Sequence, residues 1–146
     1  MRNSNRRGAT RIFLGASLLL GAASAQAVDF SVAPDISGGL GHYSWNIAFG
    51  GAGGVANPDL TLYKGLTYTF QISTYPDYPF WIKTAPSTGT ADAYAGTGLS
   101  ANGITSFTTI TFSVPADAPD TLYYNCGVHS TMAGTIEVVV FRNGFD

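Results

Sequence analysis

The chain of 146 residues has one cysteine, two histidines and two methionines, and only 11% of it is charged. A single cysteine excludes an internal disulfide, so no cross-linked scaffold is available to the fold. Lysine and arginine number seven against nine carboxylates, which leaves no basic excess to meet nucleic acid. Two histidines without a nucleophile elbow give no readable Ser/His/Asp set, and enzymatic turnover is not expected. A phosphate loop is missing too: Gly50-Gly-Ala-Gly-Gly54 precedes a strand rather than a helix and reads as a turn. Beyond residue 27 the apolar runs are strand-sized, as in Val138-Val-Val-Phe141, and none is long enough to span a bilayer. There is no internal repeat, and helical periodicity of any length is absent.

What is present begins with a leader. Arg2, Arg6, Arg7 and Arg11 form a basic start, Ile12 to Ala25 is apolar, and Ala25-Gln26-Ala27 is a small-residue cleavage site. Residues 1–27 therefore read as a signal peptide. The Arg6-Arg7 pair hints at the twin-arginine route, but Gly8 and Ala9 stand where that signal prefers bulky apolar residues. The general secretory route is expected, with delivery to the periplasm or the exterior. No cysteine lies near the cleavage site, which removes a lipoprotein anchor. Losing the leader leaves Lys64, Lys83 and Arg142 against all nine carboxylates. Such an acidic surface disfavours anionic membranes and permits steering toward a basic partner, although solubility alone explains it as well.

Residues 28–141 suffice for a single domain, followed by the short tail Arg142-Asn-Gly-Phe-Asp146. Strand patterns fill that domain. Tyr43, Trp45, Ile47 and Phe49 alternate at period two; Leu60-Thr-Leu-Tyr63 follows, with a turn at Lys64-Gly65. Tyr68, Phe70 and Ile72 alternate with threonine and glutamine, and Phe80-Trp-Ile-Lys83 is a short apolar strand. Ile110, Phe112 and Val114 form the next face, then Leu122 to Cys126 and Thr135 to Phe141. Short strands punctuated by Gly, Pro, Asn and Asp indicate an all-β fold, an antiparallel Greek-key sandwich. The aromatics Trp45, Trp81, Tyr68, Tyr123 and Tyr124 are expected in the core or on sheet faces. Thr84 to Gly103 is the exception, a long stretch of Thr, Ala, Gly and Ser with Tyr94 and Leu99 as anchors. It is expected to lie over one sheet, with a short helical turn within it.

The chemistry is concentrated in Cys126-Gly-Val-His129-Ser-Thr-Met132, which sets a thiol, an imidazole and a thioether at C-x2-H-x2-M spacing. These soft and borderline donors suit copper better than other common metals. A buried free cysteine beside a surface histidine is the alternative. An exported protein seldom leaves a thiol unpaired without a use, and a metal ligand is such a use. Cys126 ends one strand and Gly134 precedes the next, so the segment between them is a tight loop at one pole of the sandwich, where Gly127 and Gly134 are expected to serve loop geometry.

This ligand loop between two strands resembles that of the cupredoxins, the plastocyanin, amicyanin and azurin group of blue copper proteins. Asn57-Pro-Asp-Leu-Thr-Leu-Tyr-Lys-Gly65 with Tyr68-Thr-Phe70 is similar to the strand pair that precedes the first copper histidine in secreted bacterial plastocyanin-like domains. Asp117 to Cys126 is similar to the strand that enters their ligand loop. The resemblance implies one copper ion held by Cys126 as thiolate, His129 as exposed imidazole and Met132 as weak axial thioether. It also implies a monomer that passes electrons to a redox partner protein.

One position departs from the family. A histidine is expected directly before a Pro-Phe pair, and here the segment reads Asp77-Tyr78-Pro79-Phe80-Trp81. Tyr78 takes the ligand position, where a neutral phenol donates poorly and only a phenolate would serve. His42, the other histidine, stands where the family has no ligand. The set is therefore completed by Tyr78, by His42, by water or an exogenous ligand, or the site has lost copper. Two functions follow: a copper-binding electron carrier or copper handler, and a copper-free cupredoxin-like binding or structural module.

Overall fold

The computed structural model of the protein describes residues 29–36, 41–47 and 55–140, and of 42–47 the backbone alone. The expected signal peptide, the glycine turn at 50–54, Phe49, Phe141 and the tail lie outside the described residues, as do the side chains of Tyr43, Trp45 and Ile47. Nine strands and no helix are found among the described residues: β1 Phe30–Asp35, β2 His42–Ile47, β3 Val55–Ala56, β4 Leu60–Lys64, β5 Thr67–Ile72, β6 Phe80–Lys83, β7 Thr108–Ser113, β8 Thr121–Cys126 and β9 Ala133–Val140. They form two sheets, one ordered β3-β2-β1-β5-β7 and the other β4-β9-β8-β6.

The period-two patterns fold as their chemistry directs. Phe70 and Ile72 of β5, Ile110 and Phe112 of β7, Phe80 and Ile82 of β6, and Leu122 and Tyr124 of β8 share one core with Val32 and Ile136. The sandwich is nevertheless mixed rather than wholly antiparallel. β1 runs parallel to β5 through Phe30–Val32, and β4 runs parallel to β9 through Leu60–Lys64. Alternation records which face is buried, not which way a neighbouring strand points, so direction was not readable. For the same reason β4 and β5 are not a pair, although consecutive. Gly65, at φ +85°, turns the chain from one sheet to the other. Strand β1 had no clear pattern because Val32 is its one fully buried side chain and Pro34 interrupts it. Its parallel pairing stops at Val32, short of that proline.

The long connection from β6 to β7 does not lie over one sheet, and it contains no helix. It closes the side of the sandwich by bonding to the edge strands of both sheets. On one side Tyr94 N–H donates to Ile82 O at 2.9 Å; on the other Ser100 N–H donates to Thr111 O and Ser113 N–H to Gly98 O, both at 2.9 Å. The Asn102 side chain stands in for a neighbouring strand. Its Oδ1 accepts from Ile82 N–H at 2.9 Å, and its Nδ2 donates to Ile82 O at 2.8 Å. The edge of β6 is thereby covered without a further strand. Tyr94 turns inward, 7% exposed, with its ring edge against Phe112 at 5.5 Å.

Candidate metal centre

Register brings the loop residues to one pole. β6 begins opposite the end of β8 (Phe80 faces Cys126), and β9 begins beside it (Asn125 faces Ala133). Residues 127–132 cross this end. The loop is closed by Cys126 N–H donating to Met132 O at 2.8 Å and tightened by Met132 N–H donating to His129 O at 3.2 Å.

Cys126 and Met132 are both fully buried members of the core. Sγ of Cys126 lies 3.5 Å from Nδ1 of His129, and the Val128 N–H points to the same sulfur at 3.4 Å. A metal at about 2.3 Å from the sulfur and about 2.0 Å from the nitrogen would subtend an angle of about 110° across that gap, a tetrahedral value. The amide aimed at Sγ suits a sulfur carrying negative charge. This donor pair therefore fits a metal ion without rearrangement. No cluster of three or more His, Cys, Asp or Glu occurs among the described residues, and the further donors those residues offer nearby are a thioether, Met132, and a phenol, Tyr78.

Tyr78 is brought to the same place, in the turn before β6. Its ring stacks on His129 with centroids 4.9 Å apart and planes 23° from parallel. His129 is half-buried rather than open, with this ring against it. The turn is held by Tyr78 N–H donating to Tyr75 O at 2.9 Å and by the Thr74 hydroxyl donating to Tyr78 O. The sulfur of Met132 lies beside Gly41: a Cβ at Gly41, whose φ is +48°, would stand 3.3 Å from Sδ. His42 follows at the start of β2, paired with Asp35, and its side chain lies outside the described residues.

Much of the loop's support was not signalled by spacing. Gly127 N–H donates to Pro79 O at 2.8 Å, Asn57 Nδ2 donates to Thr131 O at 2.8 Å, and the Thr131 hydroxyl donates to Gly41 O at 3.1 Å. Gly127 and Gly134 are required by close approach rather than by loop geometry. A Cβ on Gly127 would meet Trp81 Nε1 at 2.9 Å, and one on Gly134 would collide with the Tyr124 hydroxyl at 2.1 Å. That hydroxyl donates to Pro58 O at 2.7 Å, so the ring cannot move aside without losing its partner. A glycine next to the motif was the available signal; the aromatic it accommodates is distant in sequence.

No family model matches the chain, and neither does any curated protein. Solved structures do. Rusticyanin bearing a methionine-to-glutamine substitution superposes with a TM-score of 0.51, at 20% identity over 75% of each chain. A further rusticyanin structure, from a pair of serine-to-aspartate and methionine-to-leucine variants, gives a TM-score of 0.51 at 20% identity and the same coverage. The fold is that of the cupredoxins. Rusticyanin from Thiobacillus ferrooxidans is 19% identical over 75% of each chain, with a TM-score of 0.49. In the cupredoxin fold seen here, Cys126 ends β8, His129 and Met132 come from the loop that follows, and Tyr78 comes from the turn facing it. No helix among the described residues is long and apolar enough to cross a membrane.

Proposed function

We propose that the protein is an exported copper-binding protein that holds one ion through Cys126, His129 and Met132 and serves electron transfer or copper handling, without enzymatic turnover. The observation that carries this reading is the 3.5 Å approach of Cys126 Sγ to His129 Nδ1 in a loop braced from several sides. Rusticyanin, whose fold the chain shares, is described as a copper protein. Bound copper would supply a one-electron couple; the chain's part is to fix the donors and exclude water. Cys126 provides a buried sulfur, to which Val128 N–H supplies a hydrogen bond. Met132 supplies a soft donor from within the core, and Tyr78 shields one side of the imidazole.

Such a set is softer than one with two imidazoles and should prefer Cu(I) to Cu(II). Residues 1–27 are proposed to direct export, and residues 28–141 to act as one domain and as a monomer, with a redox protein as partner. The stacked Tyr78 favours a second reading: a phenol ring where a histidine is expected suits a copper-free module of the same fold. Titration of the purified protein with Cu(I) and Cu(II), followed by optical and EPR spectra, separates the two. Failure to bind either ion with a 1:1 end point would leave the copper-free module standing.

A further inference from the structure

Lys83 is the one lysine buried completely among the described residues, at 0% exposure. It sits on the edge strand β6, and its Nζ lies 5.9 Å from the centre of the Trp81 ring. Burying an ammonium group is costly unless its donors are all met. Here they are, by oxygen atoms of one short segment: Ser87 O at 2.7 Å, Gly89 O at 2.8 Å and Ser87 Oγ at 3.3 Å. Desolvation lowers the lysine's pKa from its ordinary value, and the charge of Asp92 partly opposes this. A cation enclosed on an edge strand in this way calls for a reason beyond packing.

The segment it holds reaches the candidate centre. Gly89, at φ +67°, donates its N–H to Gly127 O at 2.6 Å, and Gly127 directly follows Cys126. Gly127 is thus fixed on three sides: its carbonyl by Gly89, its N–H by Pro79 O, and its Cα by Trp81. Lys83 braces the segment that makes the first of these ties, bonding Ser87 O and Gly89 O, alongside the bonds from Ser87 Oγ to Ala91 O at 3.1 Å and from Thr84 N–H to Asp92 O at 2.8 Å. The third involves Trp81, the aromatic beside which the ammonium rests.

We propose that Lys83 is a positioning residue for the 127–132 loop: its buried ammonium organises residues 87–89 so that Gly89 clamps Gly127 and fixes the thiol against the imidazole. The proposal deepens the copper reading but can be tested without copper. Lys83→Met removes the cation at similar volume. In the copper-free protein, Gly89 amide exchange and alkylation of Cys126 by iodoacetamide should each quicken by about tenfold or more, beyond any change in global stability. Ile110→Val, a core change in the other sheet, calibrates that global component. Equal rates in Lys83→Met and Ile110→Val at matched stability would overturn the proposal. If Lys83→Met does not fold, Lys83→Arg, which keeps the charge but alters its reach, is put through the same two measurements, and rates equal to those of Ile110→Val again overturn it. In copper-loaded protein the variant should also shift the thiolate-to-copper absorption. An unchanged band would count against the proposal, whereas a parent that binds no copper would sink the copper reading and leave exchange and alkylation to decide this one.

Discussion

The connections on either side of the candidate centre use their side chains differently. The long one, from β6 to β7, bonds the edge strands through its backbone and commits its side chains to structure as well: Asn102 bonds both backbone groups of Ile82, and Tyr94 is packed into the core. The short one, residues 127–132, is held almost wholly by others. Pro79 and Gly89 grip Gly127, Asn57 grips Thr131, and Gly41 accepts from the Thr131 hydroxyl and closes on Met132. A loop braced through its backbone leaves its side chains free to bind something, whereas a loop braced through its side chains has spent them on structure. The difference favours the short loop as the place of the proposed chemistry.

Variants in the two loops should therefore damage different properties. The largest stability loss is expected for Tyr94→Ala, about 3–5 kcal/mol, because a buried aromatic leaves a cavity beneath the long loop. Asn102→Ala should cost about 1–2 kcal/mol, since the N–H of Ile82 loses its partner while its carbonyl keeps the Tyr94 N–H. Urea unfolding measures both, and neither change should abolish copper binding in the folded fraction. If either did, the division between the loops would be wrong. Cys126→Ser should cost only about 1 kcal/mol, yet remove copper binding and any thiolate-to-copper absorption. Binding as tight as the parent's would exclude the thiolate. The smallest effect on stability belongs to Tyr78→His, about 0.5 kcal/mol, because an imidazole keeps part of the ring stacking. Its spectrum should change most: with added Cu(II), the parent is expected to show a weak or altered visible band and the variant an intense blue one. An intense blue band in the parent would mean the site is already complete, and none in the variant would mean that position 78 does not reach the metal.

Where a residue's role depends on its neighbours along the chain, the sequence announced it. Phe70, Ile72, Ile110 and Phe112 declared a buried face by alternation, and the spacing of Cys126 and His129 anticipated the approach of thiol and imidazole. Roles set by partners remote in the chain stayed hidden. The parallel course of β1 beside β5 follows from sheet order, not from either strand's composition. Asn102 looked like an ordinary polar loop residue because the strand edge it completes lies twenty residues away. Tyr78 was visible as a departure from a family pattern, but its stacking on His129 was not, because ring orientation is decided by packing. Lys83 read as the polar end of an apolar strand, although its ammonium is fully enclosed.

The parallel pairing of β4 with β9 also has a kinetic consequence. Residues 60–64 find their sheet neighbour only in residues 136–140, and β9 separates β4 from β8 in that sheet. One of the two sheets thus waits for the last described strand, and a chain stopped before residue 133 has, among the described residues, no strand to pair β4 with the rest of its layer. Closing so long a loop before any contact rewards it makes folding slow, in the millisecond-to-second range typical of non-local β topologies. Stopped-flow refolding should show that pace, without an early phase assignable to β4. Under the export proposed above, in which the chain would thread a translocation channel in extended form, such delay would be useful: this sheet is not complete until β9 has arrived.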